Sequence, residues 1–259
     1  MSTQLAQDAL GLLSGSFVGF SLGLVGGGGS ILAVPLMIYV VGVASPHMAI
    51  GTSALAVAIN AAANLMSHAR TGTVKWSCAG VFAAAGVAGA FGGSSLSKIV
   101  DGRHLLALFA ILMLVVAGVM FFRRGSGGDA GVRLNRGNFP KLLTFGAGAG
   151  ALSGFFGIGG GFLIVPGLMF ATGMPIINAI GSSLLAVTAF GATAALNYAI
   201  SGLVAWRLAL TFIAGGVLGG LIGGRLAHSL GGKRGTLNTI FAAVITLTAL
   251  YMLARSTLG

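Results

Sequence analysis

Residues 26–35 of the chain are GGGGSILAVP, and residues 157–166 are GIGGGFLIVP. Each stretch lies within long apolar sequence and joins a run of glycines to a proline. A segment of about 13 residues with these features cannot cross a bilayer as one regular helix, because it is too short and proline interrupts helical hydrogen bonding. Non-helical backbone at membrane depth occurs only where protein buries it or where it lines an aqueous cavity. The two stretches therefore predict two short, interrupted segments inside a helical membrane protein.

The composition of the chain excludes a soluble globular protein. Of 259 residues, 56% are hydrophobic and 7% are charged, whereas an ordinary soluble domain has about 25% charged residues. The 14 Lys and Arg residues outnumber the three acids and cluster between apolar stretches, which is typical of cytoplasmic loops and not of nucleic-acid binding. Cys78 is the only cysteine and the four histidines are dispersed, so neither a metal site nor another cofactor is expected. The expected surroundings are the lipid bilayer.

The apolar stretches, cut at glycine and proline, predict an all-α polytopic bundle. At about 20 residues for each crossing, it has eight long transmembrane helices and two short Gly/Pro-broken segments, which gives eight to ten crossings. A turn at Ser45-Pro46 and another near Met174-Pro175 follow the short segments. The long helices are predicted near residues 5–25, 47–69, 76–97, 104–122, 141–156, 176–200, 207–227 and 236–254, and the short segments near residues 31–44 and 162–173.

An internal repeat divides the chain into two homologous halves. A shift of 131 residues superposes Gly26 on Gly157 and Pro35 on Pro166, and a shift of 130 then superposes residues 51–53 on residues 181–183. The same register also pairs the two tryptophans. Duplicated halves are common in secondary transporters. The predicted division is a first half at residues 1–122, a basic linker at residues 123–141 and a second half at residues 142–259.

The orientation of the halves depends on whether the short segments cross the membrane. If they cross, each half has five crossings, the halves are inverted, both termini lie outside, and ten basic residues share one side against four on the other. If they dip in and return, each half has four crossings, the halves are parallel, and the division is nine to five with the termini inside. The positive-inside rule places the linker in the cytoplasm in both cases.

The interrupted segments are the candidate substrate site. Glycine lets a ligand approach the backbone closely, and the helix that begins after each break directs unpaired N–H groups and the positive end of its dipole toward an anion. Alternatively, the glycines serve close helix packing, and the nearby hydroxyls bond back to their own helices. The candidate substrate-binding residues are Gly26, Gly27, Gly28, Gly29, Ser30, Pro35, Thr52, Ser53, Gly157, Gly159, Gly160, Gly161, Pro166, Ser182 and Ser183.

Titratable groups are nearly absent from the predicted spans. None contains a carboxylate, which carriers of cations normally need, so a cation pump is not expected. His47 is close to a break and is a candidate for coupling to a proton, although the lack of a counterpart in the second half favours an ordinary loop histidine. An intramembrane aspartyl protease would need paired aspartates, and a serine protease using Ser153 would have only His228 as a base. No enzymatic activity is therefore expected.

The residues also resemble a known family. Residues 23–35 (GLVGGGGSILAVP) and 154–166 (GFFGIGGGFLIVP), each followed by a Gly-Thr/Ser-Ser element, resemble the duplicated signature of the TauE/SafE family of sulfite exporters. The resemblance extends from about Leu10 to Leu253. It implies a carrier in the bacterial or archaeal inner membrane for sulfite, sulfoacetate, thiosulfate or related anions, driven by an ion gradient. The sequence departs from this expectation in having no intramembrane Lys or Arg to select a doubly charged anion.

The sequence thus predicts a secondary transporter for a small anion, in particular a sulfur oxyanion or organosulfonate. The breaks and hydroxyls would form a site between the halves that is exposed alternately to each side, with a proton or another ion as the coupling partner. Two alternatives stay open. One is an anion-selective channel, because glycine-rich loops also form filters. The other is a membrane scaffold or protease that transports nothing.

Overall fold

The computed structural model describes residues 2–122, 129, 131–157, 161–229, 246 and 249–250, and the regular structure in these residues is helical throughout. The predicted helix near residues 236–254 lies almost entirely outside them. The described α-helices are α1 (Ser2–Val25), α2 (Ala33–Pro35), α3 (Pro46–Arg70), α4 (Trp76–Ser97), α5 (Gly102–Phe122), α6 (Phe139–Phe156), α7 (Gly161–Thr172), α8 (Ile176–Ile200) and α9 (Trp206–Ser229).

The long helices begin and end within a few residues of the predicted positions, and α4 and α8 match them to the residue. Helix α3 begins at Pro46 because Pro46 has no N–H that would need a partner in the first turn, and because the Ser45 hydroxyl accepts a hydrogen bond from the Met48 N–H at 3.4 Å. Five stretches of the described helices are long and apolar enough to cross a membrane, which confirms a multi-pass helical protein. They are Gln4–Leu24, Pro46–Arg70, Trp76–Ser97, Ile176–Ile200 and Trp206–Leu226.

The first short segment, residues 26–40, differs from the predicted gap. Helix α1 continues without interruption into a 3-10 helix at Gly26–Leu32, and after α2 the chain widens into a π-helix at Leu36–Val40. The break predicted at Gly26–Gly29 is therefore a change of helical winding and not an open loop. Glycine tolerates the tighter winding, and Pro35 has no N–H to donate, so the hydrogen-bonding pattern changes directly after it.

The second short segment begins with a true break. Helix α6 ends at Phe156, and the next residue, Gly157, has a left-handed φ of +64° that suits glycine. Residues 158–160 lie outside the described part of the chain, and α7 then carries Pro166 in its interior. The two short segments contact each other, and the first also contacts α8.

Two parallel helix pairs form the outer parts of the bundle. Helix α1 runs beside α9, with Gly15 against the Phe212 carbonyl and Gly19 against the Gly216 carbonyl. Helix α6 runs beside α4 in the same way, because Gly150 meets Gly86 and Gly154 meets Ala90. A methyl group at any of the four packing glycines would collide with a backbone carbonyl. Small residues at these positions therefore allow the helix backbones to touch.

Helices α3 and α8 are antiparallel and largely buried between the outer pairs. Gly51 near the start of α3 lies against Tyr198 near the end of α8, whereas the amide of Asn178 at the start of α8 donates to the Thr73 carbonyl, just after α3, at 2.9 Å. This packing defines two ends of the bundle. The Lys98 end holds His47, Lys98 and Arg207, and the Lys75 end holds Arg70, Lys75 and Arg225.

Candidate functional site

Ser53 lies at the break of the second short segment. It is two turns into α3, and its hydroxyl donates to the Ile50 carbonyl at 3.0 Å and to the Gly157 carbonyl at 3.3 Å. A side chain at Gly157 would collide with Ile50, so both the left-handed φ and the lack of space require glycine there. The structure thus brings together two predicted site residues that are 104 positions apart.

Ser183 occupies the corresponding place in α8, two turns from the opposite end of the bundle. Its hydroxyl donates to the Ile180 carbonyl at 2.7 Å, as the Ser53 hydroxyl does to Ile50. Both serines are fully buried. The first short segment contacts both the second short segment and α8. Ser53 lies toward the Lys98 end and Ser183 toward the Lys75 end.

Thr52 and Ser182 each accept a hydrogen bond at the start of a distant helix. The Ala205 N–H, just before α9, donates to the Thr52 hydroxyl at 3.0 Å, and the Lys75 N–H, just before α4, donates to the Ser182 hydroxyl at 2.9 Å. Amide groups at a helix start have no partner within the helix, so these hydroxyls act as caps supplied from elsewhere in the chain. The cap uses each hydroxyl oxygen as an acceptor and leaves its O–H to donate.

The remaining predicted residues lie on the short segments. Gly26, Gly27 and Gly28 wind through the 3-10 helix, and Gly29 folds back onto α1, where a side chain would collide with the backbone of Leu22. Ser30, Pro35 and Gly161 are buried, and Pro166 is half-buried. Gly159 and Gly160 fall outside the described residues.

The candidate site presents uncharged groups. The site has no fixed positive charge, but its hydroxyl and backbone N–H groups can donate hydrogen bonds to the oxygens of an anion. Within the described residues, no three of the His, Cys, Asp and Glu side chains lie close enough to hold a metal ion. The hydroxyl-bearing residues of the candidate site are fully buried.

His47 lies at the Lys98 end and not at a break. Its Nε2 is 3.1 Å from both the Ser97 and the Val100 carbonyl oxygens, at the end of α4. A helix end carries unpaired carbonyls and the negative end of the dipole, so a histidine that donates there stabilises the terminus. A role for His47 in ion coupling stays a prediction.

The structure shows a polar cluster that sequence reasoning missed, consisting of Lys98, Ser94, Ser95, Asn197 and Ser201 and named here the Lys98 cluster. The Lys98 ammonium donates to Asn197 Oδ1 at 2.7 Å, to the Ser201 hydroxyl at 2.9 Å and to the Asn197 carbonyl at 3.2 Å. The Asn197 amide donates to the hydroxyls of Ser94 at 2.7 Å and Ser95 at 2.9 Å. Lys98 and Asn197 are 99 positions apart, and no local pattern in the sequence connects them.

An apolar groove of about 440 Å³ lies on another face of α3 and α8. It is lined by aliphatic residues together with Thr188 and Trp206, and it exposes almost no polar surface. Such a lining cannot replace the hydration of an anion. The groove is therefore not a candidate for the substrate site.

Comparison with known proteins identifies the family. The family model described as Sulfite exporter TauE/SafE matches residues 11–252. The chain belongs to the TauE/SafE family. This membership confirms the resemblance found in the glycine-rich segments and assigns the chain to a family of membrane transporters.

Curated TauE/SafE relatives cover nearly the whole chain. A protein of Xylella fastidiosa (strain Temecula1 / ATCC 700964) named "Probable membrane transporter protein" is 52% identical over 249 residues, which are 94% of each chain. The "Probable membrane transporter protein YunE" of Bacillus subtilis (strain 168) is 26% identical over 259 residues, which are 92% of this chain and 93% of the relative. No solved structure gives a significant match. The relatives support a multi-pass membrane transporter.

Proposed function

We propose that this TauE/SafE protein is a secondary transporter that moves a small anion across the inner membrane by alternating access. The substrate class is a sulfur oxyanion or an organosulfonate such as sulfite. The observation that carries the proposal is the contact of Ser53 with Gly157, since it places a hydroxyl donor of α3 at the left-handed break of the second short segment. A buried polar element at interrupted backbone is the usual setting of a transporter substrate site.

The proposed architecture is a pair of inverted halves with five crossings each. The antiparallel course of α3 and α8 supports it, as do the two helix caps, because Thr52 with Ala205 and Lys75 with Ser182 are the same pair displaced by 130 positions. Each capped N–H group directly precedes the start of a helix, and these two helix starts lie at opposite ends of the bundle. Two units of like sequence that run in opposite directions give a site equal access to both sides of the membrane.

The distribution of basic residues gives the proposed orientation. Among the described residues, the Lys75 end holds Arg70, Lys75, Arg133, Arg136, Lys141 and Arg225, whereas the Lys98 end holds Lys98, Arg103 and Arg207. By the positive-inside rule we place the Lys75 end and the linker in the cytoplasm. The Lys98 end then faces the outside.

The proposed site lies between Ser53 and Ser183 and includes the two short segments, which contact each other. Rocking of one half against the other would expose this space first to one end of the bundle and then to the other. The hydroxyls would exchange their present bonds to Ile50, Ile180 and Gly157 for bonds to substrate oxygens. The gradient that drives transport is carried by a proton or another coupling ion, with His47 as the candidate group for a proton.

Transport of sulfite into liposomes tests the proposal. Purified protein is reconstituted, and uptake of labelled sulfite is followed with and without an imposed pH gradient for the wild type, Ser53→Ala and Gly157→Ala. Saturable, gradient-dependent uptake that both substitutions reduce at least about tenfold is expected, because a lost donor or a displaced break removes binding energy from the transported substrate. Gly92→Ala is the matched control, because nothing lies within 4 Å of an added methyl group there.

Other outcomes separate the alternatives. Single-channel currents far above carrier turnover would assign the protein to anion channels. Uptake of another anion without uptake of sulfite would keep the transporter and change its substrate. No flux of any tested anion, with folded protein in the liposomes, would favour a scaffold or an enzyme.

A further inference from the structure

We propose that the Lys98 cluster is an anion-entry site at the outer end of the bundle, where an arriving oxyanion binds the Lys98 ammonium and releases α8 from α4. The inference rests on the proposed transport of an anion. It assigns a second binding site, separate from the one between Ser53 and Ser183, and supplies the positive charge that the buried site lacks.

All three N–H donors of Lys98 are used by uncharged oxygens. Their acceptors are Asn197 Oδ1 at 2.7 Å, the Ser201 hydroxyl at 2.9 Å and the Asn197 carbonyl at 3.2 Å. The ammonium also lies 5.9 Å from the centre of the Tyr198 ring. Hydrogen bonds in which the donor or the acceptor is ionised are roughly twice as strong as those between neutral groups. The present bonds of Lys98 already have a charged donor, and an oxyanion adds the attraction between opposite charges, so it is expected to compete with the uncharged oxygens for these donors.

The charge of Lys98 is not neutralised by a carboxylate within the described residues. Asp8 is paired with Arg207, and the Asp101 carboxylate lies 3.8 Å from the Nδ1 of His104. The positive charge faces instead the carbonyl end of α8, whose dipole offers only a partial negative charge. Lys98 is half-buried, so water screens it less than it screens a fully exposed lysine.

The same hydrogen bonds hold two helices together. Asn197 accepts from Lys98 and donates to Ser94 and Ser95, so it joins the end of α8 to the end of α4. The adjacent Tyr198 hydroxyl donates to Ser97 at 2.7 Å. An anion that takes Lys98 away from Asn197 and Ser201 removes part of this connection, and it does so at one of the two ends toward which the proposed site opens.

A chain of contacts leads from the Lys98 cluster to the buried site. Tyr198 fills the space beside Gly51, where even a methyl group would meet its side chain. Gly51 is followed directly by Thr52, which caps α9, and by Ser53, which bonds to the break at Gly157. Movement of the end of α8 is thereby transmitted to the residues proposed to bind the substrate.

The opposite end of the bundle lacks an equivalent lysine. The residue 130 positions after Lys98 is His228, and the positions equivalent to Asn197 and Ser201 are Ser67 and Thr71. At this position of the repeat, a permanently charged side chain is therefore present at only one end of the bundle. We expect charge recognition to affect the apparent affinity for substrate from the outer side.

The test compares right-side-out and inside-out membrane vesicles that contain Lys98→Gln. Lys98→Gln is expected to raise the half-saturating sulfite concentration by about tenfold for entry from the outer side, the loss expected for one charge-assisted hydrogen bond. For entry from the cytoplasmic side, the half-saturating concentration is expected to change less than about twofold. Lys98→Arg is expected to keep most of the outer affinity.

Arg207→Gln is the matched control, since it removes a positive charge from the same end while Arg207 is paired with Asp8. A rise for Arg207→Gln equal to that for Lys98→Gln would overturn the proposal in favour of general surface charge. Equal shifts from both sides, or no shift, would also overturn it. Asn197→Asp provides a second variant that retains Lys98. Its carboxylate is expected to hold the ammonium and to raise the outer half-saturating concentration as well.

The failure of the transport proposal gives a different result. If the wild type moves no anion, the proposed function is wrong, and the entry site is then tested by equilibrium binding of sulfite to purified wild type and Lys98→Gln. Weaker binding by the variant supports the site. Equal binding, or none by the wild type, overturns it.

Discussion

Two helix crossings of the bundle have a glycine at equivalent positions of the repeat, but the glycine contacts an aromatic ring in one crossing and a polar amide in the other. In the α4–α8 crossing, Gly86 lies against the ring of Phe190, which is 6.3 Å from the ring of Phe82. In the α3–α9 crossing, the equivalent glycine is Gly216, and it lies against the side-chain amide of Asn60. The first crossing buries aromatic surface. The second buries an amide whose oxygen and nitrogen both have no hydrogen-bond partner among the described residues.

The two crossings differ in how much their buried contacts stabilise the helix pair. An apolar contact at a glycine stabilises a helix pair by shape and dispersion alone. A buried amide without a partner costs about 1–3 kcal/mol, so Asn60 makes the α3–α9 crossing weaker than its counterpart in this conformation. We infer that the α4–α8 contact at Gly86 is more stable in this conformation than the α3–α9 contact at Gly216. At these two glycines, the α3–α9 contact is therefore the one expected to rearrange, whereas the proposed release of α8 from α4 concerns the ends of those helices near Lys98.

Gly86→Ala is expected to have the largest effect. The added methyl group collides with the Phe190 ring and approaches the Gly146 carbonyl, so α4 must separate from α8 and α6. Overpacking of this kind costs about 1–3 kcal/mol. Titration of unfolding with a denaturing detergent measures the loss, and Gly80→Ala is the control because its surroundings are open. Equal stability of the two variants would show that the crossing is looser than described.

Asn60→Leu is expected to stabilise the conformation described here while it impairs transport. The change removes two buried polar atoms that have no partner among the described residues, and it leaves an apolar side chain with the same branching against Gly216. A gain of about 1–2 kcal/mol in the same unfolding titration is expected, together with slower sulfite uptake.

Asn64→Leu is the control for this experiment. The Asn64 amide already donates to the Asn60 carbonyl at 2.9 Å, so its replacement removes a satisfied bond and is not expected to stabilise the protein. If Asn60→Leu destabilises the protein, the amide has partners in solution and the proposed weakness of the α3–α9 crossing is wrong.

The sequence predicted the helices better than it predicted their contacts. Helices α4 and α8 were predicted to the residue, because apolar runs are bounded there by Trp76 and Pro175 and by short polar turns. The winding of residues 26–32 was not predicted, because the packing of Gly29 against the backbone of Ser21 and Leu22 depends on how the chain folds back. A glycine run alone is compatible with a loop and with a 3-10 helix.

The sequence predicted which residues form the candidate site, but it predicted only some of the contacts that they make. The register of the repeat selected Ser53 and Gly157, and the structure places them in contact. The register of the repeat did not predict that Thr52 caps a helix 153 positions away. It also did not predict that Lys98, at the end of α4, donates a hydrogen bond to Asn197. These contacts depend on tertiary packing between distant segments, which no local periodicity encodes.

The smallest effects on stability are expected at the two helix caps, where equivalent hydroxyls of the two halves accept the same kind of hydrogen bond. Thr52→Val and Ser182→Ala each remove the acceptor of one helix-start N–H, which costs about 1 kcal/mol. Because the two caps lie at opposite ends of the bundle, the double variant is expected to lose the sum of the two, within about 0.5 kcal/mol.

The caps also distinguish the halves in transport. If both ends open in turn, Thr52→Val and Ser182→Ala weaken opposite ends, so they are expected to change the half-saturating sulfite concentration on opposite sides of the membrane. A vesicle assay in both orientations measures this. If both variants alter the same side, the two ends do not alternate, and the difference between the Asn60 and Phe190 crossings would then reflect a fixed asymmetry of the protein and not a moving part.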